Sequence, residues 1–213
     1  MPELGTRFHV YRKEDGQLVK TWEADPFFSF HHINAYEQGD EIIVDLSATH
    51  DPSIIEQFYL DRLEKDGKLS WPEPRRYTLS PTADTAPYTL LSDHAFELPR
   101  VNSRFIGRPY QFAYGAGIHP TRRDDFVNTL SKIDVSGGDD KMWHSDHTYP
   151  GEPVFVATPG GTDEDDGVVL SVVLDAAAEN SFLLVLDGKS FEEIGRATLP
   201  QTVPFGFHGQ FFT

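Results

Sequence analysis

Cysteine is absent from this 213-residue sequence. That excludes disulfides and thiolate metal sites, so any metal must sit on histidine, carboxylate or carbonyl ligands. No apolar run approaches the roughly 20 residues that a membrane-spanning helix needs. The start, Met1-Pro2-Glu3-Leu4-Gly5, has neither a basic segment nor an apolar core and does not read as a signal peptide. Lysine is scarce, and acidic residues outnumber basic ones 34 to 18, for a net charge of -16. Phosphates would be repelled, which argues against nucleic acid as a partner. These absences describe a soluble, cytoplasmic, acidic chain. No Pro/Ser linker, low-complexity block or clear internal repeat divides it, so residues 1–213 read as one domain.

What is present is mostly strand. Phe8–Tyr11 and Leu18–Trp22 flank Glu14-Asp15-Gly16, a hairpin signal. Phe27–Glu37 and Glu41–Leu46 flank Gln38-Gly39-Asp40. Further strands are expected at Arg76–Leu79, Tyr110–Tyr114 and Thr129–Val135. The apolar runs Gly167–Leu174 and Ser181–Leu186 read as central, fully buried strands. One helix is expected after His50-Asp51-Pro52, with Asp51 as cap and Ile54, Ile55, Phe58 and Leu63 on one face. Short strands between Gly, Pro and Asp turns give an all-β barrel, sandwich or propeller.

Two histidines have unusually apolar settings, His31 in Phe28-Ser29-Phe30-His31-His32-Ile33 and His208 in Phe205-Gly206-Phe207-His208-Gly209. Aromatic neighbours imply burial, and a buried imidazole needs a hydrogen-bond partner or a metal. Positions so far apart suggest one inward-facing site assembled from distant strands. Strand alternation does not choose between His31 and His32, which point to opposite faces. Glu97, in Ala95-Phe96-Glu97-Leu98-Pro99, and Glu152, in Pro150-Gly151-Glu152-Pro153, also stand in apolar or proline-rich stretches. A carboxylate is costly to bury there unless paired, either with an arginine or with the second N–H of a metal-bound imidazole.

Other clusters weigh less. His144-Ser145-Asp146-His147 has chelating spacing but reads as a surface loop. Asp163–Asp166 lacks the oxygen spacing of a calcium loop and reads as a solvated turn. Gly115-Ala116-Gly117 is too short for a phosphate loop, and no serine sits in a nucleophile-elbow motif.

Phe30-His31-His32-Ile33-Asn34-Ala35-Tyr36-Glu37, Tyr149–Val156, Glu164–Asp175 and the ending Pro204–Phe211 together resemble the carotenoid cleavage oxygenases, in the same order along the chain. The resemblance implies a seven-bladed β-propeller with iron(II) held by four histidines. It places His31 and His208 as two of these ligands and Glu97 and Glu152 as carboxylates that orient ligand histidines. It implies O2-dependent cleavage of a conjugated C=C bond in a carotenoid or apocarotenoid, with no catalytic group beyond the metal site. Peripheral membrane contact is compatible with it. Family members are more than twice as long, and two ligand histidines have no counterpart here. The chain therefore reads as the C-terminal part, about three blades plus closing strands, inactive without the N-terminal half. The rival reading is a non-catalytic β-domain for lipid binding or assembly; a metal module on His144 and His147 stands in reserve.

Overall fold

The computed structural model describes residues 2–66, 69–123 and 125–212. An N-terminal hairpin pairs β1 (Thr6–Tyr11) with β2 (Leu18–Ala24), its turn eased by Gly16 at φ +69°. A second sheet runs in chain order through β3 (His32–Gln38), β4 (Glu41–Ala48), β5 (Glu73–Leu79) and β6 (Tyr88–Leu90). A third holds β7 (Glu97–Val101), β8 (Phe112–Gly117), β9 (Thr129–Asp134) and β10 (Lys141–His144). The last contains β11 (Thr148–Pro150), β12 (Val154–Ala157), β13 (Gly167–Asp175), β14 (Asn180–Asp187) and β15 (Glu193–Thr198). There β11 and β12 share one edge of β13. Every pairing between these strands is antiparallel, with one isolated parallel bridge from Glu23 to Thr85, and the architecture is all-β.

Sheets carrying one apolar face stack on one another. Trp22, Leu46, Tyr77 and Leu79 fill the gap between hairpin and β3–β6 sheet. Ile33, Ile43, Phe96 and Ile133 fill the next, and Tyr114, Leu130, Val169 and Leu184 the last. Edge strands of the three larger sheets adjoin, β3 beside β7 and β7 beside β12.

Charged side chains also tie the sheets together. Asp45, fully buried, takes a bidentate Arg76 guanidinium at 2.9 and 2.7 Å and the Tyr110 hydroxyl at 2.7 Å. The buried Lys132 ammonium donates to Asp165 at 2.6 Å and to the Gly188 carbonyl at 2.8 Å. Glu164 accepts the Phe112 N–H at 2.7 Å, and Asp163 pairs with Lys189 at 2.6 Å. Glu164 and Asp165 therefore join β13's approach to the neighbouring sheet, whereas Asp163 stays exposed in the turn and meets Lys189 of its own sheet.

Three other expectations change. The single helix is two short ones, α1 (Ser53–Gln57) and α2 (Leu60–Asp66), with Ile54 buried and Ile55 exposed. Asp51 still accepts the Ser53 N–H at 2.9 Å. The strands β13 and β14 are central but alternate in burial, because one face of the last sheet meets solvent at Val172. The strand expected from Phe27 begins only at His32, since Phe28 pairs separately with Thr49. Among the described residues no helix is long and apolar enough to cross a membrane.

Replacing Arg76 by Met leaves the Asp45 carboxylate buried with one hydroxyl partner. Removing one member of a buried pair costs about 3–5 kcal/mol, so Arg76→Met is expected to lower the urea midpoint of unfolding by that equivalent.

Candidate metal centre

Each first strand carries one residue too many, and each surplus falls beside a candidate residue. On β3 the partners step from His32–Leu46 to Asn34–Asp45, leaving Ile33 unopposed. On β7 they step from Glu97–Ala116 to Arg100–Tyr114, so Leu98 and Pro99 face Gly115 alone. Along β11 and β12 they step from Pro150–Val173 to Val154–Leu170, so residues 151–153 face 171–172. A bulge bends its strand and re-aims the side chain beside it.

These bulges aim His31, Glu97 and Glu152. His31 precedes β3, its carbonyl held by the Ser47 N–H at 3.0 Å. Glu97 opens β7, followed by Leu98 at φ +49°, a left-handed conformation uncommon outside glycine. Gly115 and Gly117 on β8 let this segment lie close: a Cβ at Gly117 would stand 2.1 Å from the Ala95 carbonyl oxygen, and one at Gly115 would stand 2.6 Å from the Phe96 ring. The glycine pair thus has a packing role. Glu152 sits between two prolines in the break between β11 and β12.

The four residues singled out in the sequence converge. His31 Nδ1 lies 2.6 Å from Glu97 Oε2, and His208 Nδ1 lies 3.0 Å from Glu152 Oε1. Their Nε2 atoms face each other at 3.3 Å, with the rings nearly perpendicular. Glu97 Oε2 also accepts the Leu98 N–H, while its Oε1 is buried without a partner. Glu152 Oε2 accepts from Arg100 Nη2 and the Gly209 N–H, both at 2.8 Å.

The electrostatics follow from this geometry. Glu97 raises the His31 pKa by hydrogen bonding to the ring, against the opposing effect of burial. Burial alone would raise Glu152; the Arg100 guanidinium, the Gly209 N–H and His208 outweigh it and hold the carboxyl below its ordinary range. With both Nδ1 atoms donating to carboxylates, both Nε2 atoms present lone pairs. Two such acceptors 3.3 Å apart need a positive charge between them, either a proton or a metal ion. Bonds of about 2.1 Å to one ion, at roughly a right angle, put two nitrogens about 3 Å apart. The pair fits a metal as neutral imidazoles held by carboxylates. It is two ligands, not a full set: among the described residues no group of three or more His, Asp or Glu gathers to hold a metal.

Their aromatic neighbours predict both histidines buried on strands. Neither is on a strand, and the His208 side chain is 57% exposed. The segment after β15 forms no regular element, because it is tied down by side chains rather than by a ladder. Ser181 Oγ accepts the Val203 N–H at 2.9 Å, and Phe205 packs on Phe126 and Tyr149. His32 is exposed at the start of β3. His144 donates Nδ1–H to the Asn128 carbonyl at 2.7 Å and packs against His119, while His147 is an exposed turn residue at φ +58°. They do not converge as ligands. Arg100 is not among the residues the sequence singles out; its signal is a lone cation inside Leu98-Pro99-Arg100-Val101, close to Glu97.

The sequence matches the family model described as retinal pigment epithelial membrane protein (RPE65) over residues 1–213. The chain belongs to the RPE65 and carotenoid oxygenase family. Within the family it is 36% identical to the mitochondrial carotenoid-cleaving dioxygenase of Macaca fascicularis, over 99% of this chain and 45% of that protein. It is 40% identical to the chloroplastic carotenoid cleavage dioxygenase 8 homolog A of rice, over 98% and 40%. Cobalt-substituted apocarotenoid oxygenase of Synechocystis superposes with a TM-score of 0.87 at 27% identity, covering 96% of this chain and 43% of that one. The chain spans less than half the length of these relatives.

A raised histidine pKa means that the His31–Glu97 contact stabilises the metal-free fold fully below the ordinary histidine value of about 6.5. That contribution fades as pH rises through the raised value. The stability gap between wild type and His31→Ala, measured by urea unfolding, is therefore expected to be larger one unit below that value than two units above it.

Proposed function

We propose that this chain is the C-terminal part of an iron(II)-dependent dioxygenase that splits a conjugated C=C bond of a carotenoid or apocarotenoid into two carbonyl products, with O2 as co-substrate. Its three larger sheets are then consecutive blades of a seven-bladed propeller, with their first strands around the axis. The observation that carries this reading is the facing pair of Nε2 atoms, each imidazole backed by a buried glutamate. The names of the relatives and the cobalt-substituted Synechocystis enzyme support it.

His31 and His208 would hold the iron together with two histidines from polypeptide outside these 213 residues. Ferrous iron, when bound, supplies the capacity to activate O2. The chain's own residues present neutral ligands and no competing nucleophile. Glu97 and Glu152 fix the Nδ1–H tautomers and raise ligand basicity. A row of aromatic contacts, Phe30 to Phe58 to Phe126 to Phe205, starts beside His31 and suits an apolar polyene.

The test begins with the intact mass of the native gene product, captured through its C-terminal segment. Iron content and aldehyde formation from a carotenoid are then measured in that product. A mass above 24.0 kDa, with iron and cleavage both abolished by His31→Ala or His208→Ala and untouched by His144→Ala, is the expected result. Glu97→Gln and Glu152→Gln should weaken iron binding by about 10–100-fold. Iron that survives loss of both His31 and His208 would overturn the reading.

A further inference from the structure

The two imidazoles are held by different means. His31 is fixed through its own backbone and by a glutamate that needs no cation. His208 lies in a segment without a ladder, and on its N-terminal side the nearest backbone hydrogen bond is at Val203. What fixes it is a closed ring of three contacts. Arg100 Nη2 donates to Glu152 Oε2 at 2.8 Å and to the Gly209 carbonyl at 2.7 Å. The same Glu152 oxygen accepts the Gly209 N–H at 2.8 Å. Both backbone groups of the residue after His208 are thus held by one ion pair.

The bulge on β7 makes this reach available. Arg100 is the residue at which β7 regains register, opposite Tyr114, and its side chain crosses from that sheet to the last one. Its Nε is buried without a partner, and Nη1 meets Gln210 Oε1 only at 3.5 Å. Nη2 therefore makes the decisive contacts. With Arg100 on Oε2, Glu152 keeps Oε1 free to accept the His208 Nδ1–H. A guanidinium joins two acceptors in a fixed plane, which a lysine ammonium on a shorter chain does not reproduce.

We propose that Arg100 is a positioning residue for His208: it compensates the Glu152 carboxylate and pins the Gly209 peptide, setting where His208 Nε2 stands opposite His31 Nε2. The proposal rests on the reading of these histidines as a metal pair. Arg100 itself touches neither the metal position nor the aromatic row.

The experiment is nitrogen-15 NMR on the metal-free 213-residue chain, comparing wild type with Arg100→Gln. Ring nitrogen shifts report the His31 and His208 tautomers, and amide exchange reports Gly209 and the core strands. In Arg100→Gln, His208 should populate both tautomers and Gly209 should exchange at least about tenfold faster. His31 and the β8, β9 and β13 amides should stay as in wild type. A folded Arg100→Gln chain with His208 and Gly209 unchanged overturns the proposal. Should that variant fail to fold, Arg100→Lys keeps the buried carboxylate compensated and carries the test. There too, faster Gly209 exchange supports the proposal and unchanged exchange overturns it. Cobalt(II) added to the native gene product separates the underlying reading: if neither histidine ring is broadened there while Arg100→Gln still frees His208, the metal pair falls and the positioning stands.

Discussion

The hydrogen bond from each imidazole Nδ1–H to a buried glutamate is the interaction on which the rest of the centre depends. It decides the tautomer, and the tautomer turns both Nε2 lone pairs toward one point. Without a metal, a proton between the two lone pairs relieves their repulsion. Each carboxylate is itself costly to bury and is stabilised in its own way. Glu97 takes a backbone N–H from a left-handed Leu98, whereas Glu152 takes a cation and a glycine peptide.

The geometry behind those bonds is a matter of counting residues. A strand alternates its faces with period two, so one surplus residue turns the remainder of the strand to the other side. The three first strands all carry such a surplus at the centre, and the neighbouring strands have adapted to it. On β8, Gly115 and Gly117 leave room for Phe96 and the Ala95 carbonyl. Polar contacts further out, the Tyr110 hydroxyl on Asp45 and Lys132 on Asp165, tie adjacent sheets to one another. Site and scaffold are thus one problem in packing.

Strands were the most legible part of the sequence, because alternation and Gly- or Asp-bearing turns are local signals. The hairpin at Gly16 and the meander through β3–β5 could be read that way. His31, His208, Glu97 and Glu152 could be singled out by their apolar settings, and the family resemblance joined them. The bulges could not be read, since register belongs to a pair of strands and not to either one alone. Burial of His208 is not legible for a related reason: neighbouring phenylalanines predict core, yet Phe207 is 76% exposed in a segment held by side chains. The packing role of the β8 glycines and the anchoring of Glu164 were not legible because their partners, Phe96 and the Gln111–Phe112 amides, come from other parts of the chain.

The breaks in the first strands have a second effect, on what else those strands can pair with. Each lies at an open edge of its sheet, where a regular row of N–H and C=O groups would template a strand from another molecule. Pro99, Pro150 and Pro153 remove donors from two of these edges, and the surplus residues twist the remainder out of line. The irregularity that points two glutamates at two histidines thereby also makes these edges poor seeds for intermolecular aggregation.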